Sequence, residues 1–100
     1  MKKKDMTIKE ALESGTPFQR KVWSQMLKTP KGRVVTYSEL AKRIGNPRAI
    51  RAVASACKRN PLPEVIPCFR LVPKRGIGRY SGPGGIKRKR ELLRKEGIVI

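Results

Sequence analysis

The sequence predicts an α+β domain that is mostly helical, with a winged-helix-like helix-turn-helix and a short β element. Apolar residues recur at helical spacing in several segments of the chain. Two of these segments are separated by a tight turn containing glycine and proline. Short apolar runs rich in valine precede and follow this pair, as is typical of brief extended pieces. A length of 100 residues allows one domain with a modest core.

The N-terminal part of the chain predicts a basic tail with a short helical turn over residues 1–15, followed by the main domain over 16–100. Thr7 and Glu10 have the spacing of a capping box, which indicates a helix start. A threonine–proline pair then opens an amphipathic helix over 17–28, because proline is favoured at the first helical position. We expect the aromatic side chains of this helix in the core.

The centre of the chain predicts the helix-turn-helix. Thr36 and Glu39 form a second capping box that opens a helix over 37–44. A glycine-containing turn leads to a further helix over 48–59, in which alanines and a serine alternate with arginines. Two interpretations of this helix stay open. Its small side chains let the backbone approach a nucleic acid closely, or they pack against the preceding helix while the arginines are solvated.

The C-terminal part predicts an extended segment, a loop and a final helix. "EVIPCFRLV", residues 64–72, is apolar and follows two prolines that end the preceding helix. A glycine-rich loop covers 75–85, and a helix covers 86–96 with a glycine cap after it. The side chains expected to face inward are Ile86, Leu92 and Leu93, and those expected to face outward are Lys87, Arg88, Lys89 and Arg90.

Positive charge dominates the composition. There are 25 Lys and Arg against seven Asp and Glu, a net charge of +18. Self-repulsion of this size favours a polyanionic partner, with nucleic acid first and ribosomal or membrane association as alternatives. A heat-adapted proteome would explain the same charge without a partner. The chain has no histidine and two cysteines, so we expect neither a metal nor a cofactor. No signal segment or membrane span is evident, which indicates a cytoplasmic protein.

One cysteine stands out within the apolar run. Cys68 lies between Pro67 and an aromatic residue, where a bend would present its thiol. Two interpretations of Cys68 are open: an inert cysteine buried in a strand, or a nucleophile whose thiol is accessible at a bend. A free thiol is only a few per cent ionised at neutral pH, so a nucleophilic cysteine needs activation. Cys57, near the end of the small-residue helix, is expected to be packed.

Five blocks of sequence occur in one order at consistent spacing: PFQRKVW, GRVVTYSELAKRIGNPRAIRAVASACKRNPLP, VIPCFRLV, RYSGPGG and LLRKEG. Together they resemble the C-terminal domain of the O6-alkylguanine-DNA alkyltransferase family, over residues 16 to about 97. The resemblance implies repair of double-stranded DNA by base flipping and one irreversible transfer of an alkyl group from guanine O6 to a cysteine. The family's separate N-terminal domain is expected to be absent or reduced to residues 1–15. We expect a prokaryotic, nucleoid-associated monomer.

The resemblance also implies roles for individual residues. Cys68 matches the alkyl acceptor, Glu96 the carboxylate that ends its activation relay, and Asn60 the residue that orders the turn before the active site. Tyr37 matches a tyrosine that assists base rotation and hydrogen-bonds the departing guanine. Arg51 matches the arginine that fills the gap left by the flipped base. The other expected DNA contacts are Arg48, Ala52, Ser55, Arg59 and Arg70. The expected guanine pocket comprises Tyr80, Ser81, Val72 and Lys89.

The chain departs from the family pattern directly after the active cysteine. The family has histidine then arginine, whereas this chain has Phe69 then Arg70. A phenyl ring cannot accept the proton that the family's histidine draws from sulfur. Either Cys68 ionises with help from Arg70, Lys89 or a water linked to Glu96, and transfer is slower, or chemistry is lost and the domain flags alkylated DNA for another repair pathway. A general nucleic-acid architectural protein is a third hypothesis. Retention of the cysteine favours the transferase.

Overall fold

A computed structural model describes residues 6–78, 80 and 82–100. The first two helices are α1, Ile8–Glu13, and α2, Pro17–Lys28, as the capping pattern predicts. Each begins with a complete capping box, in which a threonine side chain and the side chain three residues later satisfy the exposed backbone N–H groups. Helix α1 packs on α2 and buries Ala11. The basic residues that open the predicted tail lie outside the described residues.

Helices α3, Tyr37–Arg43, and α4, Ile50–Lys58, form the helix-turn-helix. Thr36 accepts from the Glu39 backbone N–H at 3.1 Å and caps α3. Gly45 adopts a φ of +78° in the connection, a conformation that side chains with a Cβ rarely adopt. Helix α4 packs against both α2 and α3, so the predicted pair is confirmed.

The β element consists of two very short parallel strands. Strand β1, Val35–Thr36, lies beside β2, Leu71–Val72, with Val35 opposite Leu71. The prediction of an extended segment over 64–72 was correct only for its last two residues. Residues 64–67 form turns and Cys68–Arg70 form one turn of 3-10 helix. Closely spaced prolines lack the N–H groups that an inner strand must donate, so this part of the segment turns instead.

The core lies where α2, α3 and α4 meet the segment before β2. Trp23 is 2% exposed, and its indole Nε1 donates to the Ala56 carbonyl of α4 at 2.9 Å. Gly15 lies against the same indole ring. Burying each large side chain of this kind contributes about 1.5–3 kcal/mol. The other large apolar side chains that are fully buried among the described residues are Val22, Met26, Leu40, Val53, Ile66, Leu71 and Leu93.

Helix α5, Gly85–Lys95, closes the structure and corrects two expectations. Lys89 is completely buried, not outward, because it lies one turn before buried Leu93 on the face that packs inward. Its four methylenes fill apolar space as an aliphatic residue would. Ile86 is 42% exposed, not inward, since the glycines before it offer no side chains to cover it. None of the described helices combines the length and apolar character needed to cross a bilayer.

Candidate active site and DNA-binding face

A cleft of about 640 Å³ lies beside α4, the 3-10 turn and the glycine-rich loop. A cavity of this size is in the range that holds a small organic group such as a nucleobase. Expected site residues meet in its wall together with Cys57, which the sequence had predicted only to pack. The lining side chains with polar or reactive groups are Tyr37, Ser55, Cys57, Lys58, Asn60, Cys68 and Tyr80.

Cys68 is the first residue of the 3-10 turn and forms part of the cleft wall. Its backbone N–H donates to the Ile66 carbonyl at 2.7 Å, and Pro67 precedes it. The residue is 7% exposed, so its sulfur can be reached only through the cleft. The predicted bend therefore exists, and it holds the thiol at the cavity rather than at the open surface.

Asn60 ties the end of α4 to this turn through three hydrogen bonds. Its Oδ1 accepts from the Leu62 backbone N–H at 2.8 Å. Its Nδ2 donates to the Ile66 carbonyl at 2.8 Å and to Sγ of Cys68 at 3.2 Å. An amide N–H aimed at sulfur stabilises a thiolate more than a thiol. Asn60 thus both orders the turn and places a hydrogen-bond donor at the Cys68 sulfur.

Cys57 lies in the last turn of α4, half-buried and packed against the core. Its hydrogen bond to the Cys68 thiol, together with burial, raises the pKa of Cys57 well above the usual value. Cys57 therefore stays protonated beside the other sulfur. The sequence carried no signal for this contact, because it joins a helix end to a turn eleven residues further along the chain.

Lys89 brings a buried amine close to the two sulfurs. Its Nζ donates to the Leu71 carbonyl of β2 at 2.8 Å. Burial lowers the pKa of Lys89 to about 8, against the opposing influence of Cys57 and Cys68, which favour its charged form. A partly desolvated cation in this position favours negative charge on sulfur.

Glu96 forms an ion pair with Arg70. Arg70 Nε donates to Oε1 at 2.9 Å and its Nη2 approaches Oε2 at 2.5 Å. Gly32 N–H also donates to Oε1, and Arg70 Nη1 donates to the Thr29 carbonyl at 2.8 Å. The Arg70 guanidinium holds the pKa of Glu96 below its usual value. Within the described residues, no hydrogen bond of Glu96 reaches Cys68.

Phe69 and Arg70 are both directed into the structure. Phe69 is 4% exposed, and the Arg70 guanidinium carbon lies 5.2 Å from the centre of its ring. Since Arg70 is committed to Glu96 and Thr29, its geometry favours a bracing role over the expected DNA contact. That contact stays a prediction.

Tyr80 of the glycine-rich loop is the expected pocket residue that lines the cleft. Burial, with a contribution from the Glu64 carboxylate, raises the pKa of Tyr80 to about 12, so the phenol stays protonated. Its hydroxyl is buried without a hydrogen-bond partner among residues 6–78, 80 and 82–100. Val72 is buried in β2 and Lys89 in α5. The expected contact from Ser81 lies outside the described residues.

Expected DNA contacts lie on the outer face of α4 and in the residues that flank it, with Arg48 before the helix and Arg59 directly after it. The residues Arg48, Arg51, Ala52, Ser55 and Arg59 are all exposed. Val53 and Ala56 form the buried face of the same helix. The small side chains therefore lie on both faces of the helix: Ala56 is buried in the core, whereas Ala52 is exposed. The interpretation in which all the alanines pack against the preceding helix is wrong.

Most acidic side chains of the described segments are engaged in helix caps or in ion pairs with Arg70 and Arg88. They therefore do little to neutralise the other exposed lysines and arginines. Glu10 and Glu39 belong to capping boxes, and Glu96 is held by Arg70. Glu64 and Glu91 both bind Arg88.

Comparison with known proteins agrees with this arrangement. The model of the 6-O-methylguanine DNA methyltransferase, DNA binding domain, matches residues 17–98. The probable methylated-DNA–protein-cysteine methyltransferase of Acanthamoeba polyphaga mimivirus is 52% identical over 79 residues, covering 79% of this chain and 52% of that protein.

Two solved structures share the fold. OGT of Mycobacterium tuberculosis in complex with DNA has a TM-score of 0.78 and 43% identity, covering 83% of this chain and 50% of that one. Atl1 of S. pombe in complex with DNA containing O6-carboxymethylguanine has a TM-score of 0.72 and 32% identity, covering 81% and 76%. The chain spans about half the length, or less, of the curated relatives that it matches most strongly. The match over residues 17–98 assigns the chain to the 6-O-methylguanine DNA methyltransferase family.

Proposed function

We propose that the protein repairs DNA by direct, stoichiometric transfer of an alkyl group from O6-alkylguanine in double-stranded DNA to Cys68. The observation that carries this proposal is the position of Cys68 in the wall of a nucleobase-sized cleft, with Asn60 donating to its sulfur. The family's relatives named as methylated-DNA–protein-cysteine methyltransferases support it. The protein acts as a monomer, associated with the nucleoid in the cytoplasm.

Duplex DNA binds through the exposed face of α4. Ala52 and Ser55 let the backbone of α4 approach the sugar–phosphate wall closely, while Arg48 and Arg59 contact phosphates. Such contacts read no sequence, which suits a protein whose target is a lesion. The structures of the M. tuberculosis and S. pombe relatives in complex with DNA support DNA as the partner.

The damaged base leaves the helix stack before reaction. Extrusion of a nucleotide costs a few kcal/mol, and a side chain that fills the vacated space offsets part of that cost. Arg51 is exposed in the first turn of α4 and takes this role. Tyr37, at the start of α3, lines the cleft and assists rotation.

The chemical step is a displacement at the alkyl carbon. The Cys68 thiolate forms a carbon–sulfur bond while the carbon–O6 bond breaks, and the electron pair departs with guanine. The Tyr37 hydroxyl donates a hydrogen bond to the leaving guanine, which lowers the charge that develops there. Asn60 and the Lys89 amine stabilise the thiolate in place of the family's imidazole. The thiol is not regenerated from the product thioether, so each molecule reacts once.

Intact-mass measurement after incubation with duplex DNA containing O6-methylguanine tests the proposal. One added methyl group, mapped to Cys68 and absent from Cys68→Ala and from reactions with undamaged duplex, is expected. Lesion-selective binding with an unchanged mass would instead mean that the protein only marks alkylated DNA. Equal binding to damaged and undamaged duplex would mean a general architectural role.

A further inference from the structure

We propose that Cys57 is a resolving thiol for Cys68, so that a peroxide converts the pair into an intramolecular disulfide which thiol reductants reopen. The proposal goes beyond alkyl transfer and concerns a second chemistry of the same cleft. It assigns a modification site to a cysteine that the repair reaction does not use.

The two thiols share one enclosed space. Both line the cleft, Cys57 from the last turn of α4 and Cys68 from the 3-10 turn. Both belong to one packed cluster, in which Cys68 is buried and Cys57 partly buried. They are eleven residues apart in sequence, so the loop that a disulfide would close is short. Asn60 already draws the end of α4 and the turn together.

The neighbouring groups give the two sulfurs different roles. Cys68 accepts the Asn60 amide N–H, which stabilises its thiolate, and the thiolate is the form that attacks a peroxide. Cys57 is kept protonated by burial and by its hydrogen bond to Cys68, which raises its pKa. Cys57 is therefore expected to react second, with the sulfenic acid on Cys68, and not with the peroxide itself. Lys89 favours the anionic form of both sulfurs.

The reaction balances in two steps. The Cys68 thiolate attacks one oxygen of hydrogen peroxide, forming a sulfenic acid and, with one proton, releasing water. Cys57 then attacks the sulfenic sulfur, forming the S–S bond and releasing a second water. The two cysteines lose two electrons together, and the peroxide gains them. Two equivalents of an external thiol reverse the change.

The disulfide protects Cys68 from irreversible oxidation. A sulfenic acid without a neighbouring thiol is oxidised further to sulfinic acid, which ordinary thiols cannot reduce. Because Cys57 lies within the same cleft, closure outruns a second encounter with peroxide. If Cys68 is the alkyl acceptor, the oxidised protein cannot accept an alkyl group until it is reduced. This last consequence alone rests on the proposed function.

The test uses the full chain and two variants, Cys57→Ser and Cys68→Ser, each shown by circular dichroism to be folded. The proteins receive hydrogen peroxide and are then denatured and blocked with iodoacetamide. Trypsin releases Cys57 within residues 52–58 and Cys68 within residues 60–70. The expected wild-type product is these two peptides joined by a disulfide. The intact protein should have lost two hydrogens and taken up no label. Reduction before blocking should restore two labels.

The variants separate this outcome from alternatives. Cys57→Ser is expected to gain two oxygens on Cys68, which dithiothreitol does not remove, and Cys68→Ser should keep a free Cys57. If wild-type Cys68 reaches sulfinic acid as fast as in Cys57→Ser, if disulfides join separate molecules, or if neither cysteine reacts, the proposal is wrong. These mass readouts do not depend on alkyl transfer, so either proposal can fail alone.

Discussion

Asn60 Nδ2 lies 3.2 Å from Sγ of Cys68 while the same nitrogen donates to the Ile66 carbonyl at 2.8 Å. One side chain therefore holds the turn and places a donor at the Cys68 sulfur. Under the proposed function, such donors take the place of the imidazole that usually accompanies an active cysteine, since the chain has no histidine.

Asn60→Asp should slow methyl transfer by about 10–100-fold at pH 7. Aspartate keeps the oxygen that accepts from Leu62 but loses both donations of Nδ2, to the Ile66 carbonyl and to sulfur. A hydrogen bond to a charged group is worth about 1.5–3 kcal/mol. The measurement is single-turnover transfer across a pH series, where the midpoint should move to higher pH. An unchanged rate and midpoint would mean that this hydrogen bond does not activate the thiol.

Glu96→Gln should reduce stability by about 2–4 kcal/mol at pH 7, because Arg70 would keep its largely buried charge without a partner. The folded pKa of Glu96 is lowered by Arg70, so its contribution is fully present above the unfolded value and is lost as pH falls through the folded one. Urea unfolding at pH 7 and pH 3 should show the difference from wild type shrinking at the lower pH. Exposed Glu91→Gln is the control, with a change of about 0.5 kcal/mol or less.

Glu96→Gln also tests the relay implied by the family resemblance. Since its described hydrogen bonds go to Arg70 and Gly32, folded Glu96→Gln should transfer methyl groups within about threefold of wild type. A loss of 100-fold with the fold intact would restore Glu96 to the activation of Cys68.

Phe69→His should raise the rate of transfer about tenfold or more, because imidazole can accept the thiol proton and phenyl cannot. Its pH–rate profile should gain a limb near a pH of about 6.5. Phe69→Leu is the matched control, since it leaves the site apolar and should not be faster than wild type. If Phe69→His is no faster, residue 69 does not limit the reaction.

Lys89 should give stability a distinctive dependence on pH. Its folded pKa of about 8 lies below the unfolded 10.5, so the unfolded chain binds more protons between these values and stability rises with pH there. The gain approaches about 3 kcal/mol, at about 1.4 kcal/mol per pKa unit. Unfolding of wild type and Lys89→Met from pH 7 to pH 11 should show wild type gaining relative to the variant. The pair is compared in a Cys57→Ser/Cys68→Ser background, because Lys89→Met would otherwise also change the titration of Cys57. If the free energy of unfolding depended on pH in the same way in both proteins, this prediction would be wrong.

Arg51→Ala should weaken binding to a duplex with O6-methylguanine about tenfold and binding to undamaged duplex by much less, because Arg51 fills the space left by the flipped base. Fluorescence anisotropy at fixed salt measures both affinities. Exposed Lys95→Ala, on α5, should change the two affinities equally and slightly. Equal losses for Arg51→Ala would mean that Arg51 only touches phosphate.

The sequence predicted the helical part of the fold closely. The helix expected over 17–28 is found at Pro17–Lys28, and the two central helices differ from their expected bounds by at most two residues at an end. Helices α2 and α3 were predictable because their starting signals are local. A capping box joins residues three apart, so neighbouring letters contain the whole interaction. The five-block resemblance likewise identified the family, which the match over residues 17–98 confirms.

Only the tertiary structure decided which site residues form hydrogen bonds and ion pairs with one another. The Arg70–Glu96 ion pair spans 26 residues, and the Lys89–Leu71 hydrogen bond spans 18. A lysine in a helical pattern looks solvent-exposed, and only packing against β2 turns Lys89 into a buried cation. The approach of Cys57 to Cys68 likewise depends on a turn that the apolar pattern of 64–72 presented as a strand. The helices could be predicted from the sequence because their capping interactions join residues that are close along the chain. Contacts between residues that are distant along the chain form only when the whole core packs, so the sequence pattern did not reveal them.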